Sequence, residues 1–325
     1  MHGEHLTIED REVIGKMLAQ GRGQPEIGRN LGVHHTTIGR ELRRNSEDGG
    51  DYFPSRAQMR ADQRRRGSKV PWKMEQPKIW AYVQDKLQQY WSPQQIAGRM
   101  ELDSPEDPAM RISHACIYAG VYRLKANGSQ WHTYLRQAHR KRRKRYGTGE
   151  KRGRIVGRVG IEQRPAEVED RTGFGHWESD TMEGAAHAAY LATHVERKSR
   201  YLVMGRISDK SAATFNAGTI LAFARHPGLP LETMTADNGK EFAAFPRLER
   251  KLGLEVYFAE PYHSWQRGTN ENTNGLLRQF FPKGLDLRYA THPYVAHVER
   301  LLNSRPRKCL GYRTPQEVLL GAAGP

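Results

Sequence analysis

Apolar residues recur along this chain with two different periods, and the change of period divides it. Near the start, Val13, Ile14, Met17 and Leu18 follow helical spacing behind Thr7, which with Asp10 makes a variant of the capping box. Pro25 suits the first turn of a second helix that buries Ile27 and Leu31, and Gly32 supplies a tight turn. A third helix, His35 to Arg44, buries Ile38 and Leu42 and leaves His34, Thr36, Thr37, Arg40, Arg43 and Arg44 on its free side. This pattern predicts a helix-turn-helix whose last helix carries groups suited to base edges and phosphates. A three-helix bundle with a solvated basic face shares the periodicity, but does not account for the Gly turn and the basic third helix together.

The helical period returns over 72–136. Ser92 and Pro93 make a helix start that buries Ile96 and Met100, and after the loop LDSPEDPAM a helix capped by Ser113 carries His114, Ile117, Tyr118, Val121 and Arg123. This is a second, looser helix-turn-helix candidate, with His114, Tyr118 and Arg123 as its DNA-facing groups; plain helical packing fits the same pattern. From about Phe174 the period shortens to that of strands alternating with helices, as in an α/β unit. Strands are expected over 174–183, in a hairpin over 189–207 around the turn Arg197-Lys198-Ser199-Arg200, over 232–235 and over 255–258. Helices are expected from Ser211 to Ala224, around Phe245, Leu248 and Leu252, and from Glu271 to Phe281. The basic hairpin turn reads as a solvated tip, and His176 and Trp177 as strand residues.

Charge changes this picture. Lys and Arg number 52 against 36 Asp and Glu, a net charge of +16, and favour a polyanionic partner. The text between His139 and Arg158 is dominated by Lys, Arg and Gly, so 137–165 is expected to be an extended basic linker between domains over 1–66, 72–136 and 166–325. Cys116 and Cys309, with no CxxC, point away from a disulfide framework or a Cys-based zinc module. No apolar stretch is long enough to span a bilayer and no signal-like segment opens the chain, so a cytoplasmic protein is expected.

Three carboxylates then stand out. Asp180 lies within the first central strand, where an apolar residue is the easy choice; Asp237 follows a short strand at the Asn-Gly turn of TADNGKEF; Glu271 starts a helix capped by Thr269 or Asn270. On a helical wheel Leu276, Leu277, Phe280 and Phe281 lie on one side, with Glu271, Asn274 and Arg278 opposite. Each carboxylate alone has an ordinary explanation: a surface strand position, a common turn, a solvated helix face. Together, in a basic chain with DNA-reading helices, they suit Mg²⁺ chemistry at a phosphodiester, where two ions activate the attacking oxygen and stabilise the leaving one. Lys240 and Arg278 are candidate phosphate contacts, and Trp265, with Tyr262, a candidate for stacking on an unpaired base.

The order of motifs, from LTIEDRE through TTIGRELRRN, the basic linker, HWESD, TADNGKEF and YHSWQRGTNENTNGLLRQFFPKG, resembles the DDE transposases of the IS-thirty family of bacterial insertion sequences, with 33 residues between Asp237 and Glu271. The resemblance implies a multidomain protein: an all-α helix-turn-helix N-terminal region and an α/β, RNase-H-like (retroviral-integrase-like) catalytic domain. It implies that Asp180, Asp237 and Glu271 are both catalytic and metal-ligating, that Arg278 is the basic residue seven positions after the Glu, and that two Mg²⁺ or Mn²⁺ ions serve each site. It further implies cutting and joining of double-stranded DNA at terminal inverted repeats, and because two ends must be held together for joining, a homodimer or larger assembly is expected. Glu178 and Glu183 are rivals to Asp180 as the first ligand. The competing readings are a non-enzymatic helix-turn-helix regulator and a retroviral-type integrase, though the cysteines of an integrase zinc module are missing.

Overall fold

In the computed structural model the first helix, α1 (Ile8–Ala19), opens on a reciprocal capping box, with Asp10 N–H donating to Thr7 Oγ1 at 3.2 Å and Thr7 N–H to the Asp10 carboxylate at 2.8 Å. The structure describes residues 5–47, 50–67, 72–136, 155, 157–260 and 263–321, within two units, Met1–Gln76 and Pro77–Pro325. In the first unit, α1, α2 (Gln24–Asn30), α3 (His35–Asn45) and α4 (Pro54–Gly67) pack around buried Ile14, Ile27 and Ile38. Gly28 is fixed by close approach, because a Cβ there would stand 2.8 Å from the Val33 carbonyl oxygen. A buried ion pair ties α1 to α3, Arg11 Nε to Glu41 Oε1 at 2.7 Å, with the Tyr52 hydroxyl donating to the same oxygen.

The second unit begins with α5 (Pro77–Gln88), α6 (Pro93–Asp103) and α7 (His114–Ala126), the last two capped by Ser92 and Ser113. The stretch expected as a separate domain over 72–136 is instead built almost wholly into the larger unit: Arg99 makes a bidentate contact with Glu317 at 2.6 and 2.7 Å, and Tyr90 stacks edge-on against Phe280. The expected linker, 137–165, lies largely outside the described residues, and its end is structured, since β1 (Val159–Gly160) pairs in the sheet.

After β1 come α8 (Ala166–Asp170), β2 (His176–Glu183), β3 (Tyr190–Glu196), β4 (Leu202–Ile207), α9 (Ala212–Ala224), β5 (Thr233–Ala236), α10 (Phe245–Leu252), β6 (Glu255–Phe258), α11 (Gly268–Leu277), α12 (His292–Asn303) and α13 (Pro315–Leu320). The sheet order is β1-β6-β5-β2-β3-β4, antiparallel from β2 to β4 and parallel from β2 to β1. Strand alternation sends Tyr190 and Ala192 to one face, packed with Phe215 and Phe223 of α9 and Phe245 and Leu248 of α10. Leu191 and Val195 go to the other, against Leu276 and Leu277 of α11 and Val295, Val298 and Leu302 of α12. The result is the layered mixed sheet of an RNase-H-like core, with β2 at its centre as expected. Among the described residues no helix is long and apolar enough to cross a membrane.

Candidate active site and nucleic-acid surfaces

The pairing of β2 with β5 runs His176↔Thr233 to Glu178↔Thr235, so two further residues bring Asp237, just past the end of β5, level with Asp180. This is the carboxyl end of parallel neighbours, the usual place for ligands in such sheets. One guanidinium spans the two acids: Arg267 Nη1 lies 3.6 Å from Asp180 Oδ1 and Nη2 lies 3.4 Å from Asp237 Oδ2. The Asp180 carboxyl is pushed above the usual carboxylate range by burial, opposed by Arg267 and reinforced by Asp237 and Glu241. Asp237 is oriented by its own turn, its Oδ1 accepting from Gly239 N–H at 2.9 Å. Glu241, buried between Thr181 Oγ1 at 2.8 Å and Lys210 Nζ at 3.1 Å, adds a third negative charge to this neighbourhood.

Helix α11 starts three residues earlier than the sequence suggests, and neither Thr269 nor Asn270 caps it. Both side chains are drawn into tertiary bonds instead. Thr269 Oγ1 accepts from Arg200 at 2.7 Å, and Asn270 Nδ2 donates to the Glu178 and Thr193 carbonyls at 2.9 and 3.2 Å. The Asn270 N–H donates to the Glu178 carboxylate at 2.8 Å, and one turn later Asn274 Nδ2 donates to Asp180 Oδ2 at 3.1 Å. Glu178, one of the two rivals to Asp180, is fully buried and paired with Arg197 at 2.6 Å. Glu183 is exposed and pairs with His187. The turn 197–200 is no solvated tip, because Arg197 and Ser199 are buried.

Glu271 lies on the exposed side of α11, and among the described residues no three His, Cys, Asp or Glu side chains are grouped to hold a metal ion. Asp180 and Asp237 are therefore brought together and Glu271 is not. Two carboxylates that share one cationic group nevertheless present the charge and oxygen donors that a hard divalent ion takes, so the pair fits such an ion. Arg267, Asn270, Asn274 and Glu241 were missed by sequence reasoning, because each acts through a partner distant in the chain. The only local hint was the Asn270/Asn274 spacing of one helical turn.

On α3, Thr36, Arg40, Arg43 and Arg44 are exposed and Thr37 is half-buried; Arg40 Nη2 donates to Thr36 Oγ1 at 3.3 Å. On α7, His114, Tyr118 and Arg123 are exposed. Lys240 is exposed, and Trp265 is 69% exposed with its ring against His263. Tyr262 lies outside the described residues. Arg278 is turned back onto its own fold, donating to the Glu183 carbonyl at 3.3 Å, and burial lowers its pKa.

Residues 2–45 match the helix-turn-helix domain family and residues 171–264 the integrase core domain family. A DNA-reading module on an integrase core defines a polynucleotidyl transferase acting on DNA, of a class that depends in general on divalent metal. The chain is 39% identical, over 97% of its own length and 95% of the relative's, to the transposase for insertion sequence element IS4351 of Bacteroides fragilis. It is 36% identical to the transposase for IS1086 of Cupriavidus metallidurans, over 97% and 94% of the two chains. With transposase InsI for IS30A of Escherichia coli it shares 34% identity over 97% and 83%. The chain belongs to the IS30 family of insertion-sequence transposases. The reading as a non-enzymatic regulator is thereby set aside.

Proposed function

We propose that Asp180, Asp237 and Glu271 are the DDE carboxylates of this transposase and that they hold two Mg²⁺ or Mn²⁺ ions. The observation that carries the reading is the convergence of Asp180 and Asp237, from neighbouring central strands, on the single guanidinium of Arg267. When bound, the ions activate the attacking oxygen and stabilise the leaving oxygen of a phosphodiester. Asn274 orients the Asp180 carboxylate, the Asn-Gly turn orients Asp237, and Glu271 is supplied as the third acid from the exposed side of α11. Water is the first nucleophile, freeing a 3′-OH at the element end, and that hydroxyl then attacks a second phosphodiester. The free face of α3 reads the terminal inverted repeats, with α7 as a second reading helix, while Lys240 and Arg278 engage phosphates and Trp265 stacks on a base. Holding two ends for joining calls for a homodimer or larger assembly.

The test uses labelled element-end duplex with the full chain and Mg²⁺. Nicking falls by about a thousandfold in Asp180→Asn and in Asp237→Asn, while duplex binding is retained. Unchanged nicking in either variant refutes the assignment.

A further inference from the structure

Beside the candidate site, on the flank of α11 turned away from Asn274, lie two cavities of about 730 and 190 Å³ that share Arg171, Arg200 and Cys309 and so form one groove. Its walls carry Arg171, Lys198, Arg200, Arg307 and Arg313. None of these five has a carboxylate partner among the described residues. Such a concentration of positive charge without directly paired carboxylates is unfavourable by itself and attracts an anion.

The groove is built rather than incidental. Arg200 sits in the left-handed region, φ 64°, and is fixed to α11 through Thr269 at 2.7 Å. Lys198 is held over the Phe174 ring at 3.9 Å and donates to the Thr172 carbonyl. Arg307 is 8% exposed, one Nη donating to the Leu302 carbonyl at 3.0 Å while its buried Nε has no partner. Burial lowers the Arg307 pKa to about 10, the sign of a cation whose surroundings do not yet compensate it.

Its place along α11 names the ligand. Gly268, Thr269, Asn272 and Thr273 line the smaller cavity, and Glu271 is the immediate neighbour of Asn272, one helical step of about 100° round the axis. A helix with its side chains is about 10 to 12 Å across, and a DNA strand carries a phosphate about every 3.4 Å along its axis. A strand with its reacting phosphate at Glu271 would therefore lay two to four further phosphates along the groove.

We propose that this groove binds the phosphodiester backbone of one DNA strand running out of the cutting site. The inference rests on Glu271 belonging to that site. Phosphate could equally arrive as a free oligophosphate, so the test has two arms. In the first, the full chain is titrated against a labelled duplex with a short single-stranded 3′ extension at several NaCl concentrations. Replacing the two exposed arginines, Arg171→Gln with Arg313→Gln, removes two contacts and flattens the log–log salt slope by about two, and the Lys/Lys pair restores it. A slope unchanged in the Gln pair overturns the proposal, as does a Lys pair that fails to restore it. In the second arm sodium pyrophosphate is titrated alone; pyrophosphate binding lost in the Gln pair while the DNA slope stays unchanged also overturns it. If the active-site reading fails at Glu271, nicking survives Glu271→Gln; if this inference fails, the salt slopes coincide.

Discussion

His194 is a fully buried imidazole on the central hairpin, sharing a 2.7 Å hydrogen bond with Ser179 and resting against Phe215 and Phe223, while its Nε2 has no partner. Burial lowers its pKa to about 3, against about 6.5 in an open chain. The unfolded chain therefore takes up a proton that the folded one refuses. Stability is fully present above pH 6.5 and is lost as pH falls from there toward 3, by up to about 1.4 kcal/mol per pH unit. Chemical denaturation across pH 7 to 4 measures this, and His194→Gln should flatten the profile; an identical slope in the variant contradicts it. No local pattern marks such a residue, since a His in an alternating strand looks the same whether neutral in a core or wet on a face.

At the scale of elements, the polar pairs between α11 and the sheet decide where the helix starts. Asn270 looked like an N-cap because Asn commonly is one, yet its side chain and N–H together reach Glu178 and Thr193 in the sheet. Asn270→Ala should cost about 2 to 4 kcal/mol, because buried acceptors lose their donors. Asn270→Asp should cost more, by placing a second carboxylate against Glu178. Urea unfolding followed by tryptophan fluorescence ranks the two, and the reverse order would contradict this account. What the sequence did disclose was local: the Asn-Gly turn placed Asp237, the strand pattern placed Asp180, and caps at Ser92 and Ser113 fixed two helix starts. What it hid were pairings across long stretches of chain, such as Arg197 with Glu178 and Arg267 with both aspartates. Nothing in the local period of 197–200 distinguishes a buried arginine from a solvated one.

For the whole molecule, the two units have separate cores, and the smaller depends on a buried ion pair. Removing one member of such a pair strands the other and costs about 3 to 5 kcal/mol. Arg11→Ala should therefore lower the melting temperature of the helix-turn-helix unit and weaken duplex binding, leaving the transition of the larger unit in place. Scanning calorimetry of the full chain checks this: a single transition that shifts as a whole would show that the units do not melt separately.

The contacts of Asn270 and Asn274 with Glu178 and Asp180 carry a consequence for inheritance. Two residues of strand advance about 6.6 to 6.8 Å and four of helix about 6.0 Å, so the rungs of α11 and β2 match like the marks of a vernier. Loss of one codon from the strand turns its acids to the opposite face. Loss of one from the helix swings the second amide about 100° out of reach. An element that spreads by copying itself can thus drift at many surface positions, whereas a three-base deletion in either of these short segments leaves an inert copy.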